Sequence, residues 1–381
     1  LAMLAARERA RARGLGMNAP GKVVVPHTVH PAFDKAAHVL GLELVKVPAG
    51  SDGRACPDRL ARAIDGHTIM VAASAPCWPW GLIDPIEAVG RLAQQHDLYF
   101  HVDACVGGMF LPFVPHRDRL PAWDFRAEGV SSISVDLHKY GYTPKGLSVL
   151  LYREPALRRH QYFTTTDWPG GLFATPALAG TRSAATLAAG WAVMQHLGRR
   201  GYERLAADVM AATERLRRAL EAGGKLRVVG APDMSIVAVT SDELDLFELA
   251  DELALRGWVV GRQQPPTSLH FILNPLHVPV IDQFAEDLDA ALHTLLHPPA
   301  GKKLRHLATR LSARLFGRLP APMQDRLFHW AQHYVKATPG GRQAPMYGMM
   351  GSLKANEQVE KVLSDYLDRM FAIDCTPSGK M

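Results

Sequence analysis

The chain is predicted to be an α/β protein, with a mostly parallel sheet domain followed by a smaller α+β domain. Two observations favour this class. Short runs rich in β-branched residues alternate with helical patterns, and these runs are continuously apolar, which is typical of strands buried on both faces. In such sheets, functional residues gather at the carboxyl ends of the strands.

The predicted elements follow this alternation in chain order. A helix over residues 1–13 is already under way at Leu1, without a capping residue or an initiating methionine, so a preceding segment is expected. The first domain has predicted helices at Pro31–Leu40 and Pro85–His96, and predicted strands at Lys22–Pro26, Glu43–Pro48, Thr68–Ser74, Leu98–Ala104, Ser131–Asp136 and Leu147–Tyr152.

The second half begins with helical patterns at Ala174–Leu197 and Tyr202–Ala222. Its other predicted elements are strands at Ser235–Thr240 and Leu269–Asn274 and helices at Leu244–Arg256, Val280–Leu296 and Ala355–Met370. We therefore expect a large domain over residues 1–197 and a small domain over 198–381, with a basic helical insertion at about 300–338.

Composition bounds the class of protein. The 381 residues are 48% hydrophobic and 21% charged, so the chain can bury a large core. It has neither an apolar run of roughly 20 residues nor the layout of a signal peptide, so a cytoplasmic location is expected. The four cysteines are scattered and match no metal spacing, and the histidines near His30 lack acidic or cysteine partners, so no metal site is predicted.

The positive charge is concentrated in one segment. The net charge is +6, but residues 302–336 alone hold eight basic residues and one acid, so the rest of the chain is close to neutral. No nucleic-acid motif accompanies this segment, and no nucleic-acid partner is predicted. Leucines at helical spacing make 302–318 a candidate for peripheral contact with an anionic membrane; a helix packed on the small domain with a solvated basic face is the favoured alternative.

The most informative motif follows the predicted strand that ends in Asp136. The chain turns there and presents His138 and Lys139 where such a sheet holds a ligand. A lysine can form an imine with an aldehyde cofactor if burial or a neighbouring cation, for which Lys145 is a candidate, lowers its pKa. A lone lysine is more often a solvated surface group, so the interpretation depends on the neighbouring motifs.

Two further motifs support the interpretation of Lys139 as an imine-forming lysine. Asp103 ends another predicted strand, and enzymes that use the aldehyde cofactor pyridoxal phosphate (PLP) need a carboxylate beside its pyridine nitrogen. A helix cap or turn aspartate is the alternative. His30 precedes a predicted helix, where its ring could lie on a cofactor or donate to a phosphate.

Taken together, the motifs resemble the sphingosine-1-phosphate lyases, a branch of the PLP-dependent decarboxylase superfamily with the aspartate-aminotransferase-like fold, in their bacterial form. The resemblance rests on segments in the family's order: Val25–Ala37, Ser74–Pro76 with Gly81–Pro85, His101–Cys105, Ser132–Gly146, Thr166–Gly171, Gly180–Arg182 and Tyr347–Met349. It departs from the family in lacking the upstream Gly-Gly-Thr-Glu-Ser loop and in having Thr181 where serine is more common.

The resemblance implies a PLP enzyme, a homodimer, and roles for individual residues. Lys139 would hold PLP, with Asp103 at the pyridine nitrogen, His30 on the ring, His138 near the cofactor phosphate, and Ala104 and Ser74 completing the cofactor site. Lys145 would bind the substrate phosphate, and Gly170, Gly171, Thr181 and Arg182 would line the substrate site at the dimer interface.

The implied reaction is retro-aldol cleavage of a phosphorylated sphingoid base to a long-chain aldehyde and phosphoethanolamine. Lys139, Tyr140, Tyr142 and the substrate phosphate are candidates for the base. Two alternatives stay open: an amino-acid decarboxylase, which should not need Lys145, and a non-catalytic relative that binds lipid or protein.

Overall fold

A computed structural model describes residues 1–15 and 19–297, together with positions 323, 364 and 367. The basic segment 302–336 and the predicted helix at 355–370 lie outside the residues described continuously. Over the described residues, no helix is long and apolar enough to cross a membrane.

The main sheet has six strands in the order β2-β1-β3-β4-β5-β6. The first five strands run parallel, and β6 pairs antiparallel with β5 at one edge. This confirms the predicted mostly parallel sheet. The strands are β1 (Lys22–Pro26), β2 (Glu43–Val47), β3 (Thr68–Ser74), β4 (Tyr99–Asp103), β5 (Ser132–Asp136) and β6 (Ser148–Tyr152).

Strands β3 and β4 form the centre of the sheet, and every residue in them is buried. The apolar run within β3 is the pattern that predicted a parallel sheet, whereas β4 also carries His101 and Asp103. The helices of this part of the chain connect successive strands or precede the first one. They are α1 (Ala2–Ala12), α2 (Ala32–Leu40), α3 (Pro57–Ala63), α4 (Ile86–Gln95) and α5 (Pro155–Arg158).

The core beside β1 and β3 includes side chains from α1 and α2. Ala5 and Ala6 of α1 and Phe33 of α2 pack in one buried cluster with Val23 and Met70 of the sheet. Burial of this apolar surface stabilises the two helices against the strands. It therefore fixes the amino-terminal ends of α1 and α2 relative to the sheet.

Beyond the main sheet, the structure differs from the prediction between residues 163 and 184. A hairpin of two three-residue strands, β7 (Phe163–Thr165) and β8 (Phe173–Thr175), lies in this region, and the end of β8 covers the first two residues of the helix predicted from Ala174 onward. The following helix, α6 (Ala184–Glu221), begins only at Ala184, where the Ser183 hydroxyl accepts a hydrogen bond from the Ala185 backbone. It is interrupted at Gly198, whose φ of 54° is non-helical.

The remaining described elements are β9 (Arg227–Val228), β10 (Ile236–Thr240), α7 (Leu246–Ala254), β11 (Gly261–Gln263), β12 (Ser268–Ile272) and α8 (Ile281–Leu296). Strands β9 and β10 pair antiparallel. The chain forms two compact units: one comprises Leu1–Thr240 and His270–Ala285, the other Ser241–Leu269 and the described residues from Glu286 onward. This division does not follow the predicted one at 197/198.

Candidate active site

A cavity of about 390 Å³ lies where β4 and β5 end. These strands are parallel neighbours, with Asp103 paired to Ser134, so the residues at their carboxyl ends meet at one edge of the sheet. The polar side chains lining the cavity are His30, His101, Asp103, Cys105, Ser134, Asp136, Lys139 and Ser148. Its apolar wall comes from the first residues of α1, from α2 and from β6.

Lys139 lies on the turn after β5, and its amine has two partners. Nζ lies 3.0 Å from Asp136 Oδ2 and donates to Cys105 Sγ at 3.0 Å. Burial alone would lower the pKa of this amine, but the contacts with Cys105 and Asp136 outweigh burial and raise the pKa above the ordinary lysine value. The expectation that the Lys139 pKa would be lowered is therefore wrong for this arrangement.

Of the two partners of the Lys139 amine, Asp136 is the one that carries a charge. Burial raises the pKa of the Cys105 thiol, so this thiol stays protonated at neutral pH and carries no charge. Asp136 also accepts a hydrogen bond from the Ser148 hydroxyl. The Asp136 carboxylate is thus the counter-ion of the Lys139 ammonium.

Asp103 is nearly buried, with 9% of its surface exposed. Its Oδ1 accepts hydrogen bonds from Ser134 Oγ at 3.0 Å and from the Cys105 backbone N–H at 3.1 Å. The second bond is the turn-forming contact that was the alternative explanation for this residue. Asp103 makes that contact and also lines the cavity, so the two interpretations are compatible.

The two predicted histidines lie in different surroundings. His30 lines the cavity, and its Nδ1 accepts a hydrogen bond from the Ala32 N–H at the start of α2. His138 does not line the cavity; its Nδ1 lies 2.9 Å from the Leu147 carbonyl oxygen, to which it must donate. Its Nε2 is 3.9 Å from Asp136 Oδ2.

Tyr140 and Tyr142 are also outside the cavity lining. The buried Tyr140 hydroxyl donates to the Leu273 carbonyl at 2.7 Å and lies 2.7 Å from Ser235 Oγ. Tyr142 has a φ of 56°, and its buried hydroxyl has no hydrogen-bond partner among the described residues. Burial raises the pKa of Tyr140 and raises that of Tyr142 to about 12. Both phenols are therefore protonated at neutral pH, which is unfavourable for a base.

The remaining predicted residues surround this centre or lie at the surface. Ser74 pairs with Asp103 across β3 and β4 and donates its N–H to the buried Asp84 at 2.7 Å; the Ala104 N–H donates to the Ser134 carbonyl at 3.1 Å. Five residues are exposed and do not line the cavity: Lys145, Gly170, Gly171, Thr181 and Arg182.

Sequence reasoning missed His101, Asp136 and the serines of β5 as parts of the site. The signal was present as two period-two patterns, His-x-Asp at the end of β4 and Ser-x-Ser-x-Asp along β5. Alternate residues of a strand share a face, so these polar side chains lie together on one side of the sheet. A polar face on otherwise apolar strands indicates a site rather than core.

Comparison with known proteins places this geometry in a family. Residues 1–240 match the family model described as the pyridoxal-dependent decarboxylase conserved domain. The fold is also shared with a Lactobacillus brevis glutamate decarboxylase, at 23% identity and a TM-score of 0.67 over 77% of this chain and 72% of that one. These matches define the chain as a member of the pyridoxal-dependent decarboxylase family.

Relatives with higher sequence identity show to which branch of this family the chain belongs. A solved sphingosine-1-phosphate lyase from Burkholderia pseudomallei is 38% identical, with a TM-score of 0.74 over 84% of this chain and 72% of that one. A sphingosine-1-phosphate lyase of Arabidopsis thaliana is 37% identical over 92% of this chain, and a probable one of Legionella pneumophila 35% identical over 87%. The chain spans 58% and 57% of these two relatives' lengths. Within its family, the chain belongs to the sphingosine-1-phosphate lyases.

The family's cofactor is PLP, and the residues of the cavity fit it. The cavity holds a lysine amine for the cofactor aldehyde, a carboxylate for the pyridine nitrogen and the flat ring of His30. On Asp103, Oδ1 accepts hydrogen bonds from two donors, whereas no backbone N–H or hydroxyl group of the described residues donates to Oδ2. One carboxylate oxygen thus remains for a donor supplied by a ligand.

Proposed function

We propose that this chain is a PLP-dependent carbon–carbon lyase that cleaves sphingosine 1-phosphate, or a related phosphorylated sphingoid base, into a long-chain aldehyde and phosphoethanolamine. The observation that carries the proposal is the shared cavity of Lys139 and Asp103 in a chain 38% identical to a bacterial sphingosine-1-phosphate lyase. Without that cavity, family membership would support the fold but not the chemistry.

The roles that we propose for the cofactor-site residues are supported by their contacts. PLP, when bound, supplies an electron sink for the breaking bond. Lys139 would hold the cofactor aldehyde, and Asp136, whose carboxylate lies 3.0 Å from the Lys139 amine, would orient that amine. Asp103 would keep a proton on the pyridine nitrogen, and His30 would contribute its flat ring to the cofactor site. His138, together with the backbone near Ser74 and Ala104, supports these groups.

The substrate phosphate is assigned to Lys145, an exposed cation six positions after Lys139. Thr181, Arg182, Gly170 and Gly171 are exposed and are assigned to the substrate site of the assembled enzyme. The base is assigned to Lys139 or the substrate phosphate, since the Tyr140 and Tyr142 hydroxyls are buried outside the cavity lining.

We also propose that the chain is a homodimer that pairs through the β7–β8 hairpin and the start of α6. This surface exposes large apolar side chains, among them Trp168, Leu172, Leu187 and Trp191, with 54%, 83%, 61% and 64% of their surfaces exposed. An apolar patch of this kind indicates a protein interface. It adjoins Gly170, Gly171, Thr181 and Arg182 in sequence, so pairing there would bring these residues to the dimer interface.

We propose that the protein is cytoplasmic. Whether its basic segment, residues 302–336, contacts membranes is tested separately. Deleting residues 302–336 should abolish binding to anionic liposomes, measured by co-sedimentation, without abolishing PLP binding, if the segment lies on lipid. Liposomes without anionic lipid provide the control. Liposome binding that survives the deletion would contradict the membrane contact, and a wild-type chain that does not sediment would favour the solvated basic face.

The activity is tested by offering the PLP-loaded chain three substrate classes: sphingosine 1-phosphate, glutamate and aromatic amino acids. We expect equal amounts of long-chain aldehyde and phosphoethanolamine from the first and no carbon dioxide from the others. Lys145→Ala should raise KM for the phosphorylated base while leaving PLP loading intact, because it removes only the cation for the substrate phosphate. Carbon dioxide from an amino acid without aldehyde from the lipid would contradict the proposal.

A further inference from the structure

A chain of hydrogen bonds extends from Asp103 along the sheet through Ser134 and His101, which also line the cavity. The Ser134 hydroxyl donates to Asp103 Oδ1 at 3.0 Å. Next along the path, the His101 Nε2 lies 3.2 Å from the Ser134 hydroxyl oxygen, and the His101 Nδ1 lies 2.8 Å from Ser132 Oγ. The four side chains therefore form one continuous path, Ser132–His101–Ser134–Asp103.

The strand register produces this path. His101 pairs with Ser132 and Asp103 pairs with Ser134 across β4 and β5. Because residues two apart on a strand share a face, the two cross-strand pairs stack on the same side of the sheet. The path is thus part of the central sheet, where its geometry is held by the backbone ladder.

The direction of the two hydrogen bonds nearest Asp103 follows from which atoms carry hydrogens. Burial lowers the pKa of His101 to about 4, so the ring is neutral and carries one proton. The single hydroxyl hydrogen of Ser134 is donated to Asp103, so the Ser134 oxygen must accept a hydrogen bond from the His101 Nε2–H. In this tautomer His101 Nδ1 is an acceptor, and it lies 2.8 Å from Ser132 Oγ. The two hydrogen bonds nearest Asp103 therefore point toward its carboxylate.

We propose that His101, Ser134 and Ser132 are positioning residues that hold Asp103 in its orientation and stabilise the negative charge on its carboxylate, leaving Oδ2 for the pyridine nitrogen of PLP. Donors aligned toward a carboxylate favour its charged form, and polarised chains of hydrogen bonds strengthen one another. The inference rests on the proposed function, because it assigns these residues to the same cofactor.

A graded set of variants tests the proposal. Ser134→Ala removes the donor to Asp103, His101→Phe removes the link behind it, and Ser132→Ala removes the far end. Ser134→Thr keeps the hydroxyl. Ser131→Ala is the matched control: this buried serine immediately precedes β5, and its hydroxyl accepts from the Phe100 N–H instead of joining the path.

The measurements are the PLP dissociation constant of the cofactor-free chain, the absorption spectrum of the loaded chain at fixed pH, and kcat and KM separately. We expect Ser134→Ala to weaken PLP binding by about 10-fold, change the spectrum and lower kcat with little change in KM, as for the loss of a hydrogen bond to a charged group. His101→Phe and then Ser132→Ala should show successively smaller effects, and Ser134→Thr should behave as wild type.

Thermal unfolding identifies variants that fail to fold. If His101→Phe fails to fold, the comparison of Ser134→Ala with Ser134→Thr and Ser132→Ala, which are milder changes, still tests the proposal. The proposal is overturned if Ser131→Ala changes PLP affinity and spectrum as much as Ser134→Ala, since any buried serine would then suffice. Unchanged PLP affinity and spectrum in Ser134→Ala, with PLP fixed to Lys139 of wild type by borohydride, would overturn this inference alone. A wild-type chain that takes up no PLP would overturn the proposed function as well.

Discussion

At the scale of single residues, Lys139 and its two neighbouring carboxylates have distinct surroundings. Asp136 lies 3.0 Å from the Lys139 amine, and contacts with Cys105 and Asp136 raise the pKa of this amine. Asp103 makes no hydrogen bond or ion pair with Lys139 among the described contacts; its Oδ1 is held by Ser134 and the Cys105 backbone. One carboxylate is therefore the counter-ion of the amine, whereas the other is the proposed partner of the pyridine nitrogen.

Replacing Asp136 should change the pH at which Lys139 reacts. The folded-state pKa of Lys139 is raised, so the amine is more fully protonated at neutral pH than an ordinary lysine. Asp136→Asn removes the counter-ion and should lower this pKa, so that the neutral amine exists at lower pH. The rate of PLP uptake by the cofactor-free chain, measured against pH, should shift to lower pH.

Cys105→Ala is the comparison for this test. The Cys105 thiol also contacts Lys139 Nζ, but it is uncharged, so its removal should move the uptake profile much less than Asp136→Asn. A profile that moves in Cys105→Ala and stays in place in Asp136→Asn would show that the thiol, not the carboxylate, controls the amine.

Site residues that lie at or just after the end of a predicted strand could be identified from the sequence. Asp103 and Lys139 each follow a recognisable apolar run, so their meeting at one edge could be predicted. The partners of Tyr140 could not, because Ser235 and Leu273 are 95 and 133 positions away in the chain. The raised pKa of Lys139 was missed because it depends on side-chain orientations that spacing does not give.

At the scale of elements, the predictions were accurate where burial is continuous. Strands β1 and β3 begin and end at the predicted residues, since their apolar runs have sharp polar or glycine borders. The β7–β8 hairpin was missed because its strands have only three residues each, too few for a period to be recognised. The predicted start of the next helix at Ala174 was wrong by ten positions, because Pro176 and Gly180 interrupt the pattern before the Ser183 cap.

The turn after β4 should tolerate no side chain at Gly107. A Cβ added there would collide with the Ala75 carbonyl oxygen and approach Pro76, on the segment that follows β3. Gly107→Ala should therefore lower the free energy of unfolding by about 2 kcal/mol, as for overpacking of a core. Urea unfolding followed by circular dichroism measures the change.

Gly223→Ala is the matched control, because a Cβ there meets no atom within 4 Å and the backbone is not in the left-handed region. Its free energy of unfolding should stay within about 0.5 kcal/mol of wild type. Equal stability of the Gly107→Ala and Gly223→Ala variants would contradict the close packing between the segments that follow β3 and β4.

At the scale of the whole molecule, the exposed apolar side chains of the hairpin and α6 should control assembly. Trp191→Glu places a charge in the proposed dimer surface, where desolvation would oppose pairing, and should shift the chain toward monomer. Sedimentation equilibrium over a range of concentrations measures the dimer constant. Leu255→Glu, at a side chain that is 55% exposed on the carboxyl side of α7, should leave it unchanged. A wild-type chain that is monomeric throughout would contradict the dimer.

The domain division remains a prediction at this scale. The compact units of the structure separate after Thr240 and rejoin at His270, which no single boundary in the sequence could describe. No turn or linker in the sequence marks the boundary between Leu269 and His270, because strand β12 continues through it.

The identity of the cofactor-binding amine is the central claim, and borohydride reduction of the PLP-loaded chain followed by peptide mass mapping tests it most directly. We expect the peptide containing Lys139 to gain the mass of one reduced PLP, Lys139→Ala to lose both the label and the yellow colour, and Lys145→Ala to keep both. A label on another lysine, or a folded wild-type chain that acquires none, would contradict the account.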